Sequence, residues 1–149
     1  MVQTFSDGKN IYSVDMIFAY INLFKPKYIK VNIKDYLSTL ELNCWGNPKT
    51  KKLFSPKNVI DNSKKYKENY KRIMNSNLKY PIIIANNNIV DGVHRLTKAY
   101  LENRKYINSY IFNEDLLKKF LINKKLDWNK IDKLNTYDFI ELFYKKFCK

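Results

Sequence analysis

The stretch from Tyr80 to Ala99 admits few folds. Ile82, Ile83 and Ile84 form a β-branched run, Asn86, Asn87 and Asn88 supply a turn, and Ile89 and Val90 resume the extended pattern, so a β-hairpin is predicted. A helix is expected to follow directly. Asp91 is placed to cap it, Gly92 lets the backbone come close to a ligand, and Val93, Leu96, Ala99 and Tyr100 recur at helical spacing. His94, the chain's only histidine, and Arg95 then fall in the first helical turn.

That position has chemical meaning. The first turn of a helix leaves backbone N–H groups unpaired and carries a partial positive charge that favours anions. An arginine there adds a planar fork suited to phosphate oxygens. The same residues also allow a purely structural reading, in which Asp91 only caps, Arg95 pairs with a carboxylate and His94 is a packed or solvated ring. Pro81 to Ile84, the run Ile89-Val90-Asp91-Gly92-Val93-His94-Arg95 and the small-residue helix ending in Ala99 resemble the ParB/sulfiredoxin superfamily, over roughly Leu53 to Phe112. The resemblance implies an α/β (α+β) fold, a single ParB/sulfiredoxin-like domain with a small mixed sheet, helices and extra C-terminal helices. The expected organisation is one domain over 1–149, with a core at 53–112 and a C-terminal helical extension at 113–149.

Composition bounds the remaining possibilities. With 149 residues, 45% of them hydrophobic, the chain is long enough for one well-buried core. No apolar run approaches the roughly 20 residues of a membrane span, and the start Met1 to Lys9 lacks the basic-then-apolar layout of a signal peptide. The expectation is a soluble intracellular protein of cytoplasm or nucleus. Cys44 and Cys148 lie far apart, so neither a disulfide framework nor a zinc site is indicated and no metal ligands are assigned. The formal net charge of +14 invites a polyanionic partner, although the abundance of Lys, Asn, Ile and Tyr is also what an AT-rich genome produces through codon usage.

Along the chain, residues 1 to 10 read as a loose terminus. Ser13 caps a helix bearing Val14, Ile17, Phe18 and Ile21, which Pro26 stops. From Tyr28 to Lys34, Ile29, Val31 and Ile33 alternate with polar residues as in a half-exposed strand, and Asp35 to Leu42 reads as a short helical piece. Asn43 to Phe54 lacks periodicity and reads as a loop able to close over a site. Ser55-Pro56 starts a helix, and residues 63 to 75 form a basic one in which Tyr66, Tyr70 and Ile73 share a face. Lys64, Lys65, Lys71 and Arg72 populate its other faces and are the candidate nucleic-acid contacts. Tyr106 to Phe112 is a returning strand beside the Tyr80 strand. Leu116, Leu117, Phe120 and Leu121 suit an amphipathic helix, and Thr136 caps a final one bearing Phe139, Ile140, Phe143 and Phe147.

Within the superfamily one pocket serves several activities, so the resemblance alone selects none. Sulfiredoxins carry a cysteine directly before His-Arg, where this chain has Val93, and that activity is rejected. Their Asp-Pro-x-Lys-Val segment contributes a phosphate-contacting lysine; here Ser55-Pro56-Lys57-Asn58-Val59 places lysine one position earlier, making Lys57 a candidate ligand. The Gly-Glu-Arg-Arg-like segment of CTP-binding partition proteins lacks its glutamate here. The pattern looks closer to the Asp-Gly-His-His-Arg of ParB-fold kinases, with Val93 at the first histidine. The resemblance implies a nucleotide ligand (ATP, ADP or CTP), with Gly92, His94, Arg95 and Lys57 binding it. Asp91, His94 and Arg95 are the candidate catalytic residues for phosphoryl transfer or phosphoester hydrolysis. Such a reaction would also call on Mg²⁺ and a base, for which Asp91 and Glu41 are the candidates. The alternatives are a non-enzymatic protein whose helix start grips the phosphate backbone of DNA, and a module serving only as a protein-interaction scaffold.

Overall fold

A computed structural model describes residues 3–148, which adopt an α+β fold with small sheets. Strands β1 (Thr4–Ser6) and β2 (Ile11–Ser13) lead into helix α1 (Val14–Phe24), then β3 (Ile29–Asn32) and a 3₁₀ helix over Ile33–Glu41. Next come β4 (Trp45–Gly46), β5 (Leu53–Phe54), α2 (Pro56–Asp61) and α3 (Lys67–Asn75). The central stretch forms β6 (Ile82–Ala85), β7 (Asn88–Asp91) and α4 (Val93–Leu101), followed by β8 (Tyr106–Phe112). The chain ends with α5 (Glu114–Lys118), β9 (Leu121–Asn123), α6 (Trp128–Asp132) and α7 (Thr136–Phe147). Among the described residues no helix is long and apolar enough to cross a membrane.

Two compact units divide these elements: one comprises the segment up to Lys27 together with the segment from Phe112 on, the other Tyr28–Ile111. The 113–149 extension therefore shares its unit with the N-terminal residues.

In the first unit, β2 lies between β1 and β9, antiparallel to both. Residues 4–6 were expected in a loose terminus, whose residues 1 and 2 lie outside the described residues. They are a strand because Asp7 closes the connection to β2, its Oδ1 accepting hydrogen bonds from the Lys9 and Asn10 amides at 2.9 and 2.8 Å. Leu121, expected on a helix, belongs instead to β9, because α5 ends at Lys118 and the chain turns back to pair with β2. Ser13 caps α1 as expected, accepting from the Met16 amide at 3.1 Å. The α7 cap is Asn135, not Thr136: its side chain accepts from the Asp138 amide while the Asp138 carboxylate accepts from the Asn135 amide, a reciprocal pair. Phe147 then packs its ring 5.4 Å from Tyr20 and 5.3 Å from Phe120. Phe139 is buried, but Ile140 points to solvent, since the apolar side of the helix is narrower than the four-residue pattern suggested.

The second unit holds a four-stranded sheet in the order β3-β8-β6-β7. Asn86 and Asn87 both take positive φ, 50° and 61°, the two-residue hairpin geometry that asparagine tolerates better than most side chains. Ile82, Ile84, Leu96, Ala99 and Ile107 form the core between this sheet and α4. A second cluster gathers Phe54, Val59 and Ile73, with Trp45, Tyr66, Tyr70 and Leu101 packed against it. Ser55 starts α2 with a reciprocal cap to Asn58 and proline in the first turn. The segment Asn43 to Phe54, expected as a loop, contains a short antiparallel hairpin in which Trp45 pairs with Phe54 and Gly46 with Leu53. Asn47 organises its connection, accepting from the Lys49 and Thr50 amides.

Candidate functional site

The start of α4 is built by Gly92. Its φ is 106°, and a Cβ there would lie 2.5 Å from the Ile82 Cγ2, so neither the backbone angle nor the space admits another residue without a shift. The close approach expected toward a ligand is thus an approach to Ile82. Gly92 itself occupies the cap position, and no side chain caps the helix. Asp91, expected as the cap, is the last residue of β7. A register shift between Ile83 and Ile84 sets Asp91 across from Ile83, and its carboxylate turns to Arg95.

Arg95 stands in the first turn as expected. Its Nη2 donates to Asp91 Oδ2 at 2.9 Å, and both side chains are largely shielded from water. The guanidinium Nε is buried with no hydrogen-bond acceptor among the described residues. A buried donor left unpaired carries a desolvation cost that an incoming acceptor would relieve.

His94 has two neighbours that the sequence did not announce. Trp45 stacks on the imidazole, with ring centres 4.4 Å apart and planes 19° from parallel. Asn69 on α3 brings its Oδ1 to 3.4 Å from His94 Nε2. With the amide oxygen facing the ring, the Nε2–H tautomer makes this contact and leaves Nδ1 as an acceptor. Burial pushes the imidazole pKa below its ordinary 6.5, and the nearby positive charges of Arg72 and Arg95 add to the effect against the opposing pull of Asp91. The ring is therefore neutral at pH 7.

Both neighbours left traces in the sequence. Trp45 stands directly before Gly46-Asn47-Pro48, a turn signal in a segment that otherwise has no periodicity. Asn69 lies three residues after Tyr66 and four before Ile73, a polar side chain on the buried stripe of α3.

The remaining candidates are distributed differently. Lys57 pairs with Glu41 at 3.6 Å on the exposed surface, so its ammonium already faces a carboxylate and Glu41 is directed toward that lysine. No hydrogen bond or ion pair among the described residues links either to Asp91, His94 or Arg95. Lys64 and Lys65 lie in the turn before α3, which starts only at Lys67, and the Lys65 ammonium sits 5.3 Å from the Tyr66 ring centre. Lys71 and Arg72 are exposed on α3, and Arg72 comes close enough to His94 to act on its titration. Of the basic helix, Asn69 contacts the α4 start directly, and the Arg72 charge is felt there.

Among the described residues no three His, Cys, Asp or Glu side chains gather where they could hold a metal ion. Asp91 is the carboxylate in contact with the first turn of α4, so Mg²⁺ at this place would rest on Asp91 and on the phosphates of a ligand. Cys44 and Cys148 are exposed residues, yet surrounding protein shields the Cys44 thiol enough to push its pKa up, away from a reactive thiolate. Comparison of the chain with protein-family models, curated proteins and solved structures finds no match.

Proposed function

We propose that this chain is a ParB/sulfiredoxin-like protein that binds a phosphate-bearing ligand, a nucleotide such as ATP, ADP or CTP, at the start of α4. The observation that supports it is Arg95: a buried guanidinium nitrogen without an acceptor among the described residues, in the first turn of a helix that none of their side chains caps. A phosphate oxygen there would satisfy both the guanidinium and the free amides. Asp91 positions the guanidinium before the ligand arrives, which lowers the entropy cost of binding. Neutral His94, with Nδ1 able to accept a proton, suits a hydrogen-bonding or base role toward a hydroxyl that accepts a phosphoryl group. Mg²⁺ would arrive with the nucleotide and neutralise phosphate charge.

Thermal unfolding in the presence of ATP, ADP, CTP, GTP or phosphate, with and without Mg²⁺, tests this reading. A ligand at about 100 times its dissociation constant stabilises by about 2.7 kcal/mol, which such a measurement resolves. No shift with any of them removes the proposal.

A second reading rests on Arg72 and Lys71, exposed on the helix that flanks His94. In it the α4 start grips the backbone phosphate of duplex DNA and α3 supplies further cations. It predicts binding that weakens steeply with salt and a salt slope that falls when Lys64, Lys65 and Lys71 become glutamine, by roughly one for each phosphate no longer neutralised. Saturable binding of a mononucleotide with little salt dependence decides for the first reading.

A further inference from the structure

The Tyr28–Ile111 unit also carries an open, cation-lined trough, lined in part by Lys98 near the end of α4. One cavity of about 650 Å³ is lined by Lys79, Lys98 and Arg104, and an adjoining one of about 360 Å³ by Lys30, Lys105 and Tyr106. The two share Leu78, Arg104 and Asn108, so they form one continuous depression. Glu102 is the single carboxylate in its lining, and it is taken up by Arg104 at 3.1 Å. Lys98 is anchored, donating to the Ser76 carbonyl at 2.8 Å. Lys30, Lys79 and Lys105 have no carboxylate within ion-pair distance among the described residues, and all three are exposed.

The strand register adds a second property. Lys30 lies opposite Asn108 and Asn32 opposite Tyr106, so Lys30 and Tyr106 share one face of the β3–β8 pair. Tyr28, next along that face, sets its ring edge-on to Tyr110. Tyr106 and Tyr28 are 50% and 52% exposed, one on each side of Lys30; the Lys105 ammonium rests 5.4 Å from the Tyr106 ring centre, so one face of that ring meets the cation and the other is the one open to a base. Unpaired cations beside exposed tyrosines are the two components that bind single-stranded nucleic acid: charge tracks the backbone and rings stack on splayed bases. A compact anion would use the charge but not the rings. A base-paired duplex hides the base faces on which the rings would stack.

We infer that this trough binds a single-stranded nucleic acid, with Lys30, Lys79 and Lys105 on its phosphates and Tyr106 and Tyr28 under its bases. The inference is independent of the α4 site, since none of these residues belongs to it.

The test is fluorescence anisotropy with an oligothymidylate of about twelve nucleotides, within the usual site sizes, against an abasic strand of equal length and against the same sequence as a duplex. The base-bearing single strand is expected to bind at least about five-fold more tightly than the abasic one, the lower end of a stacking contribution. Equal affinities overturn the inference, because they describe an anion site without base contact; tighter duplex binding overturns it too. Replacing Lys30, Lys79 and Lys105 together by glutamine is expected to weaken binding at least ten-fold and to lower the salt slope by about two, at roughly 0.7 per phosphate. The matched replacement of Lys124, Lys125 and Lys133, exposed lysines of the other unit, removes equal charge elsewhere and is expected to leave affinity within about two-fold. An equal loss from both triple variants overturns the inference, since binding is then diffuse. Photo-crosslinking of the unaltered protein to a thiothymidine strand gives a reading that no variant's folding can disturb. Label on the peptides holding Tyr28 or Tyr106 supports the trough, and label confined to other peptides overturns it.

Discussion

Arg95 is the residue at which the proposed ligand binding is tested apart from folding. Truncation to alanine is expected to weaken nucleotide binding roughly ten-fold to over a hundred-fold, since a hydrogen bond to a charged group is worth about 1.5–3 kcal/mol. Arg95→Lys keeps the charge and loses the planar fork, so an intermediate affinity by calorimetry marks the share that geometry carries. Unchanged affinity in Arg95→Ala at matched folding and salt leaves Asp91–Arg95 as a structural pair only. Gly92 is the opposite kind of residue. Gly92→Ala combines a left-handed backbone angle with a Cβ only 2.5 Å from Ile82 Cγ2, and is expected to cost about 2 to 5 kcal/mol in urea unfolding. The sequence marked the glycine as a place of close backbone approach, expected toward a ligand; only the tertiary packing shows that the neighbour the missing Cβ avoids is Ile82. His94 adds a pH dependence whose sign is set by burial. Its folded pKa is lowered, so the unfolded chain takes up the proton first; the stability it contributes is complete above pH 6.5 and is lost as pH falls below. Comparing urea unfolding at pH 7 and pH 5 for wild type and His94→Gln isolates this effect, and the variant is expected to lose less stability on acidification.

At the scale of elements, the β4–β5 hairpin and α3 decide what His94 is. Trp45 covers one face of the imidazole and Asn69 meets its edge, so a ring that local sequence places on a helix start becomes a neutral, oriented one. Trp45→Ala is expected to raise the His94 pKa toward 6.5 by letting water reach the ring, as followed by proton NMR titration. An unmoved titration would assign the lowered value to Arg72 and Arg95 alone. The hairpin–helix element over β6, β7 and α4 was legible almost whole. Its β-branched runs, asparagine turn and helical spacing are interactions among neighbours in sequence, and they dictate the same local geometry in most surroundings. The β4–β5 hairpin was not, since two-residue strands offer no periodicity to read and are held by Phe54 packing with Val59 and Ile73. The α7 cap was misplaced by one residue for a related reason: Asn135 and Thr136 are both good caps, and the reciprocal bond with Asp138 selects asparagine.

At the scale of the molecule, the two ends of the chain share one compact unit, which makes the tail part of a core that begins at the N-terminus. An isolated helix of this length is marginal in water, so α7 owes its order to the rings it meets, Tyr20 and Phe120 among them. Deleting residues 136–149 removes Phe143 and Phe147 from that cluster, together with the buried Phe139, and is expected to lower the melting temperature, a change that circular dichroism follows directly. An unchanged melting temperature would show that the cluster closes without the helix. By itself the sequence determined a mixture of helices and strands, the central hairpin and its following helix, the caps of α1 and α2, and the presence of His94 and Arg95 in one first turn. These follow from propensity, capping and periodicity, which act over a few residues. Tertiary structure alone decided that Trp45 lies on His94, that Arg95 turns to Asp91 while keeping an unpaired nitrogen, and that Lys30, Lys79 and Lys105 line one trough. Those contacts join residues far apart in the chain or depend on a register shift, and their geometry is set by how apolar faces pack, which no local pattern encodes.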